Sequence, residues 1–134
     1  MPNLLIVDDF AMIRTIMCNY FETRHIAQCS QARDGLEAVQ KVTKSLPDLV
    51  ILDFAMPGMN GLETARAIRA IFPKLAIFLV SAHDDVLETV KKSEGLNGVF
   101  SKSNVRPLFQ AVKEYLGNEL VPVAGAPGQL PTES

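Results

Sequence analysis

Cysteine is scarce in this chain, with two among 134 residues. Cys18 falls in a helical pattern and Cys29 in or beside a strand, with no C-x-x-C spacing and no nearby histidine at ligand spacing. The pattern argues against a zinc centre or a disulfide scaffold and fits two buried free thiols in a reducing compartment. Long hydrophobic runs are missing too. Although 48% of the residues are hydrophobic, no apolar stretch approaches the ~20 residues needed to cross a bilayer. Charge of one sign is also lacking: the formal net charge is −2, which makes no electrostatic case for direct nucleic-acid binding. Met1-Pro2-Asn3 leads straight into a strand-like run, with no basic segment of a signal peptide. A cytoplasmic protein without membrane insertion is expected.

What the chain does have is a set of short apolar runs that each end in a polar or charged side chain. Leu4-Leu5-Ile6-Val7 is followed by Asp8 and Asp9, Leu49-Val50-Ile51-Leu52 by Asp53, Ile77-Phe78-Leu79-Val80 by Ser81, and Val99-Phe100-Ser101 by Lys102. Such runs read as buried parallel strands. Between them lie helix-like segments. Ile13, Ile16, Met17 and Tyr20 recur at helical spacing, as do Leu36, Val39, Val42 and Leu46. Leu62, Ala65 and Ile68 follow a capping-box pair, Asn60 and Glu63. Val86, Leu87 and Val90 make a thin stripe, whereas Val105, Leu108, Phe109, Val112 and Leu116 make a strong one. A weaker strand is expected over His25–Cys29.

Five strand–helix alternations predict an α/β fold, a doubly wound parallel sheet of order 2-1-3-4-5. The size suits one domain over residues 1–117. From residue 118 to 134 the composition loses its period, and a flexible C-terminal tail is expected.

In a sheet of that order the crevice opens between the first and third strands, flanked by Asp8, Asp9 and Asp53. At ~4 Å and an effective dielectric near 20, each pair of carboxylates costs about 4 kcal/mol. A cation resolves the repulsion, and an all-oxygen set suits magnesium rather than zinc. Lys102 and Ser81 bring an ammonium and a hydroxyl to the same edge. Together they describe a phosphoryl-transfer pocket with Asp53 as nucleophile. Taken singly, Asp8 or Asp9 can be a helix cap, Ser81 a turn residue and Lys102 a solvated charge. Their conjunction at four strand ends decides the reading. A triad of Ser81, His83 and Asp84 is rejected, because residues so close in sequence cannot line up as nucleophile, base and orienter.

Val7-Asp8-Asp9, the stretch Asp53-Phe54-Ala55-Met56-Pro57-Gly58-Met59-Asn60-Gly61, Ser81-Ala82 and Lys102 resemble the receiver domains of two-component response regulators. The resemblance spans about residues 3–117. It implies a flavodoxin-like (βα)5 fold and a stand-alone phosphoacceptor rather than an enzyme. Asp53 would take a phosphoryl group from a sensor histidine kinase or a phosphotransfer protein. Magnesium would be held by Asp8, Asp9, Asp53 and the backbone carbonyl of Ala55, while Ser81 and Lys102 would contact the phosphoryl oxygens. Phe100 matches the family's aromatic switch position. The fourth helix, fifth strand and fifth helix would pass the change to a downstream target protein. Phe10, after the acid pair, is a candidate for a kinase-docking surface, and His83 for a residue bordering the phosphoryl site. One departure is visible: Ser103 follows Lys102 where the family usually has proline in a cis peptide.

Two other readings use the same residues. A magnesium-dependent phosphohydrolase also forms an aspartyl phosphate, but that type places its acids two apart after the first strand, and Asp8-Asp9-Phe10 lacks the spacing. The other is a phosphorylation-independent adaptor scaffold with a vestigial pocket.

Overall fold

In the computed structural model, which describes residues 1–90 and 95–120, five strands and five helices alternate strictly. In chain order they are β1 (Asn3–Val7), α1 (Ala11–Thr23), β2 (Gln28–Ala32), α2 (Gly35–Lys44), β3 (Leu49–Asp53), α3 (Gly61–Ile71), β4 (Ala76–Ser81), α4 (Asp84–Val90), β5 (Gly98–Ser101) and α5 (Arg106–Leu120). Every strand pairing is parallel and the order across the sheet is β2-β1-β3-β4-β5, as the alternation predicts. No helix among the described residues is long and apolar enough to cross a membrane.

The period-2 geometry of strands divides the core in two. Leu4, Ile6, Leu49, Ile51, Phe78 and Val80 face α1 and α5, where Phe21, Leu108, Val112 and Leu116 meet them. Leu5, Val7, Val50, Leu52, Ile77 and Leu79 face the other way, onto Ala38 and Val42 of α2, Ala65 and Ile68 of α3, and Val90 of α4. The central strands β1, β3 and β4 are therefore apolar over Leu4–Val7, Leu49–Leu52 and Ala76–Val80, while in the edge strand β2 Ala32 is buried, Cys29 and Gln31 are half-buried, and Gln28 and Ser30 are exposed.

The second strand begins later than its expected position at His25–Cys29. His25 instead takes a positive φ of 56° just after α1 and turns the chain. Ile26 and Ala27 then drop toward the core, and pairing with β1 starts at Gln28. An edge strand of sequence Gln-Cys-Ser-Gln-Ala has no apolar run to announce it. Three residues assigned to buried helical faces are exposed: Ile16, Leu36 and Leu46. In α1 the inward positions are Met17, Cys18 and Phe21, and in α2 they are Gly35, Ala38 and Val42. Helix α2 ends at Lys44, before Leu46 and Pro47. The capping box is present, with Asn60 Oδ1 accepting from Glu63 N–H and Glu63 Oε1 accepting from Asn60 N–H. Helix α5 runs past Gly117 to Leu120, and the rest of the expected tail lies outside the described residues.

Candidate functional site

Register brings the strand ends together. Val7 pairs with Leu52, so Asp8 and Asp53 emerge side by side on adjacent strands. Asp53 pairs with Val80, and Ser81 with Ser101, which places Ser81 and then Lys102 next along the same edge. Two backbone bonds lock these ends: Phe54 N–H donates to the Val80 carbonyl and Lys102 N–H to the Ser81 carbonyl, each at 2.8 Å.

Asp8, Asp9 and Asp53 each direct one carboxylate oxygen to a common point, all within 4.8 Å of one another. Asp8 and Asp53 are buried, at 2% and 5% exposure, and Asp9 faces solvent. Into this cluster reaches Lys102, whose Nζ lies 2.7 Å from Asp8 Oδ2 and 3.2 Å from Asp53 Oδ2. The other Asp8 oxygen, Oδ1, accepts from the Phe10 N–H at 2.9 Å. Helix α1 has no side-chain cap of its own, so the capping alternative for Asp9 is not realised.

The electrostatics follow from this geometry. Burial, with the Asp8 carboxylate beside it, pushes the Asp53 carboxyl up to about 6, and Lys102 offsets only part of the rise. Burial works to lower the Lys102 ammonium, but its bond to Asp8 and the Asp53 charge outweigh that and hold it above the ordinary lysine range. Two buried acids and one amine leave net negative charge in a cleft, and the donor set is oxygen only. Such a set fits a hard divalent cation such as magnesium.

The surrounding segments are tightly placed. Gly61, the first residue of α3, accommodates the close passage of that helix past β3: a Cβ there would lie 2.4 Å from the Asp53 carbonyl oxygen. The Gly61 N–H also donates to the Phe54 carbonyl at 2.7 Å, which closes the loop carrying Ala55. Ser81 is buried, and its Oγ accepts from the His83 backbone N–H at 3.1 Å. The contact uses the histidine backbone. Phe100 is half-buried, its ring 5.1 Å from that of Phe78 and seated over Gly98. No cis peptide occurs among the described residues, so Lys102–Ser103 is trans. Ser103 N–H bonds to Ser101 Oγ at 3.0 Å instead.

Arg14 belongs to this site and carries no signal in the sequence. Its Nη1 donates to the Asp8 carbonyl at 2.6 Å and its Nε to Gln31 Oε1 at 3.0 Å, tying α1 and β2 to the acid loop. Next to the cleft, Phe10, Met12 and Ile16 are 64%, 74% and 57% exposed. Met12 and Ile16, four apart, share one helical face.

Residues 4–113 match the response regulator receiver domain family. Sporulation initiation phosphotransferase F of Bacillus subtilis is 34% identical over 116 residues, spanning 84% of this chain and 92% of that protein. Chemotaxis protein CheY of Listeria monocytogenes is 38% identical over 95 residues, spanning 69% and 80% respectively. Among solved structures, the Thermotoga maritima response regulator TrrA in complex with Mg(2+)-BeF superposes with a TM-score of 0.77 at 32% identity, over 86% of this chain and 99% of the other. Several further relatives are longer proteins, of which this chain spans 39% or less. With a parallel sheet of order 2-1-3-4-5, acids converging at its carboxyl edge and a family match over most of its length, this chain belongs to the response regulator receiver domain family.

Proposed function

We propose that this receiver accepts a phosphoryl group on Asp53 from a phosphohistidine of a sensor kinase or phosphotransfer protein and signals through the resulting shift in conformation. The observation that carries the reading is the convergence of Asp8, Asp9 and Asp53 with Lys102 bridging two of them. Support comes from the TrrA neighbour, which binds Mg(2+)-BeF. Asp8, Asp9, Asp53 and the Ala55 carbonyl would hold magnesium. When bound, the ion supplies neutralisation of charge on the transferred oxygens.

An Asp53 oxygen attacks the phosphorus of the phosphoimidazole. A P–O bond forms, the P–N bond breaks, and the imidazole nitrogen keeps the electron pair and takes a proton. Lys102 turns from the Asp53 carboxylate to a phosphoryl oxygen. The Ser81 Oγ–H, which points to the His83 carbonyl at 3.5 Å, turns to donate to another. The group adds about 1.5–2 negative charges and three acceptors, and the contacts it makes only in the shifted state are what move the equilibrium. Phe100 follows into the space that Ser81 leaves. The exposed apolar face of Phe10, Met12 and Ile16 lies beside the cleft and suits the docking of a donor helix.

Phosphotransfer profiling against histidine kinases, run in parallel with Asp53→Asn, tests this. Stoichiometric label on the parent chain and none on the variant is expected. Persistent labelling of the variant, or continuous turnover of a generic phosphate ester, would overturn the assignment.

A further inference from the structure

We propose that Cys18 and Cys29 form an oxidisable dithiol, a modification site at which a hydroperoxide drives closure of a disulfide between α1 and β2. Although far apart in the sequence, the two thiols meet side chain to side chain, and both are free. Cys18 sits on the buried face of α1, and Cys29 packs against the same cluster from the edge strand, where solvent reaches it. The backbone beside them is held in place: Cys29 N–H donates to Glu22 Oε2 at 2.9 Å, one helical turn beyond Cys18. Gln31 reaches Cys18 from the same strand and also holds Arg14, which grips the Asp8 carbonyl. The thiol pair thus stands at the far end of a continuous polar chain from the acid cleft.

The pair is also poised for the chemistry. The adjacent Cys29 thiol lowers the pKa of Cys18 against the opposing effects of burial and of Glu22, while the Cys18 thiol and burial raise that of Cys29. Cys18 is therefore the first of the two to ionise, and the titration belongs to the pair rather than to either residue. The thiolate attacks one peroxide oxygen. An S–O bond forms, the O–O bond breaks, and the departing alkoxide takes a proton to give an alcohol, or water from hydrogen peroxide. The second thiol then attacks the sulfenic sulfur. An S–S bond forms, the S–O bond breaks, and hydroxide leaves as water with the thiol proton. Two thiols lose two electrons in all, and the peroxide gains them. Closure to a bond of about 2.05 Å draws α1 toward β2.

The experiment treats the whole folded chain with hydrogen peroxide, quenches it, unfolds it in the presence of an alkylating agent and measures intact mass. Two alkylatable thiols before treatment and none after are expected, with a loss of two hydrogens, a cross-linked peptide joining Cys18 to Cys29, and reversal by dithiothreitol. Cys18→Ser and Cys29→Ser should each stop at a sulfenic acid that dimedone traps. Overturning results are two thiols that stay alkylatable at peroxide levels oxidising the urea-unfolded chain, sulfinic acid, or intermolecular dimers. None of these readouts involves phosphate, so the outcome is independent of the role assigned to Asp53.

Discussion

Lys102 is the residue on which the resting charge of the cleft depends. Its ammonium occupies two of the carboxylates that would hold the proposed magnesium, at 2.7 Å and 3.2 Å. Lys102→Ala removes a competing cation, so magnesium affinity should rise by at least about tenfold, or 1.4 kcal/mol, when titrated by calorimetry. Phosphorylation should fall in the same variant, since the phosphoryl oxygens lose a partner. Asp53 adds a pH dependence with a defined sign. Its folded pKa of about 6 lies above the ordinary 3.8, so below pH 6 the folded acid holds a proton that must leave before metal binds. Magnesium affinity should be level above pH 7 and weaken about tenfold per unit below 6. A flat profile between pH 5 and 7 would contradict it.

At the scale of elements, the strand ends were legible because buried parallel strands are apolar and stop abruptly at polar residues. Asp8, Asp53, Ser81 and Lys102 are the residues at which those runs stop, and the sheet sets them on one edge. β2 was legible in its place in the order but set three residues too early, because an edge strand needs few apolar positions and Gln28–Ala32 has few. Ile16 and Leu36 were misread for a related reason: α1 and α2 each carry apolar residues on more than one face, and periodicity alone does not say which face meets the sheet. The Arg14–Gln31 bridge and the Cys18–Cys29 contact arise only when α1 lies on β2, so no local pattern signals them. β5 yields its own prediction. A Cβ on Gly98 would lie 2.6 Å from Cε2 of Phe100 and 3.2 Å from Cδ1 of Phe78. Gly98→Ala should unseat the Phe100 ring and favour the activated arrangement, raising magnesium-dependent beryllofluoride affinity several-fold. An unchanged affinity with an unchanged Phe100 NMR environment would refute that coupling.

For the molecule as a whole, the two core layers lie on opposite faces of the sheet, and the cleft sits where β1 and β3 part toward opposite crossovers. A ligand binding there ties the ends of both strands and so stabilises the entire fold. Magnesium at a hundredfold excess over its dissociation constant should add about 2.7 kcal/mol, a rise of several degrees in unfolding temperature. Asp53→Asn should lose most of that increment while unfolding as cooperatively as the parent, and the comparison is a pair of thermal melts with and without the ion.

The amide of Lys102 is bonded to the carbonyl of Ser81, while the carbonyl of Val80 holds the amide of Phe54. The end of β4 is thus tied equally to the ends of β3 and β5, and a pull on the serine hydroxyl would be shared by the phenylalanine amide on one side and the lysine amide on the other. If Asp53 takes the phosphoryl group as proposed, the signal would leave by the flank of β4 and β5, and the opposite flank, where β2 and α1 lie, would be left to the donor.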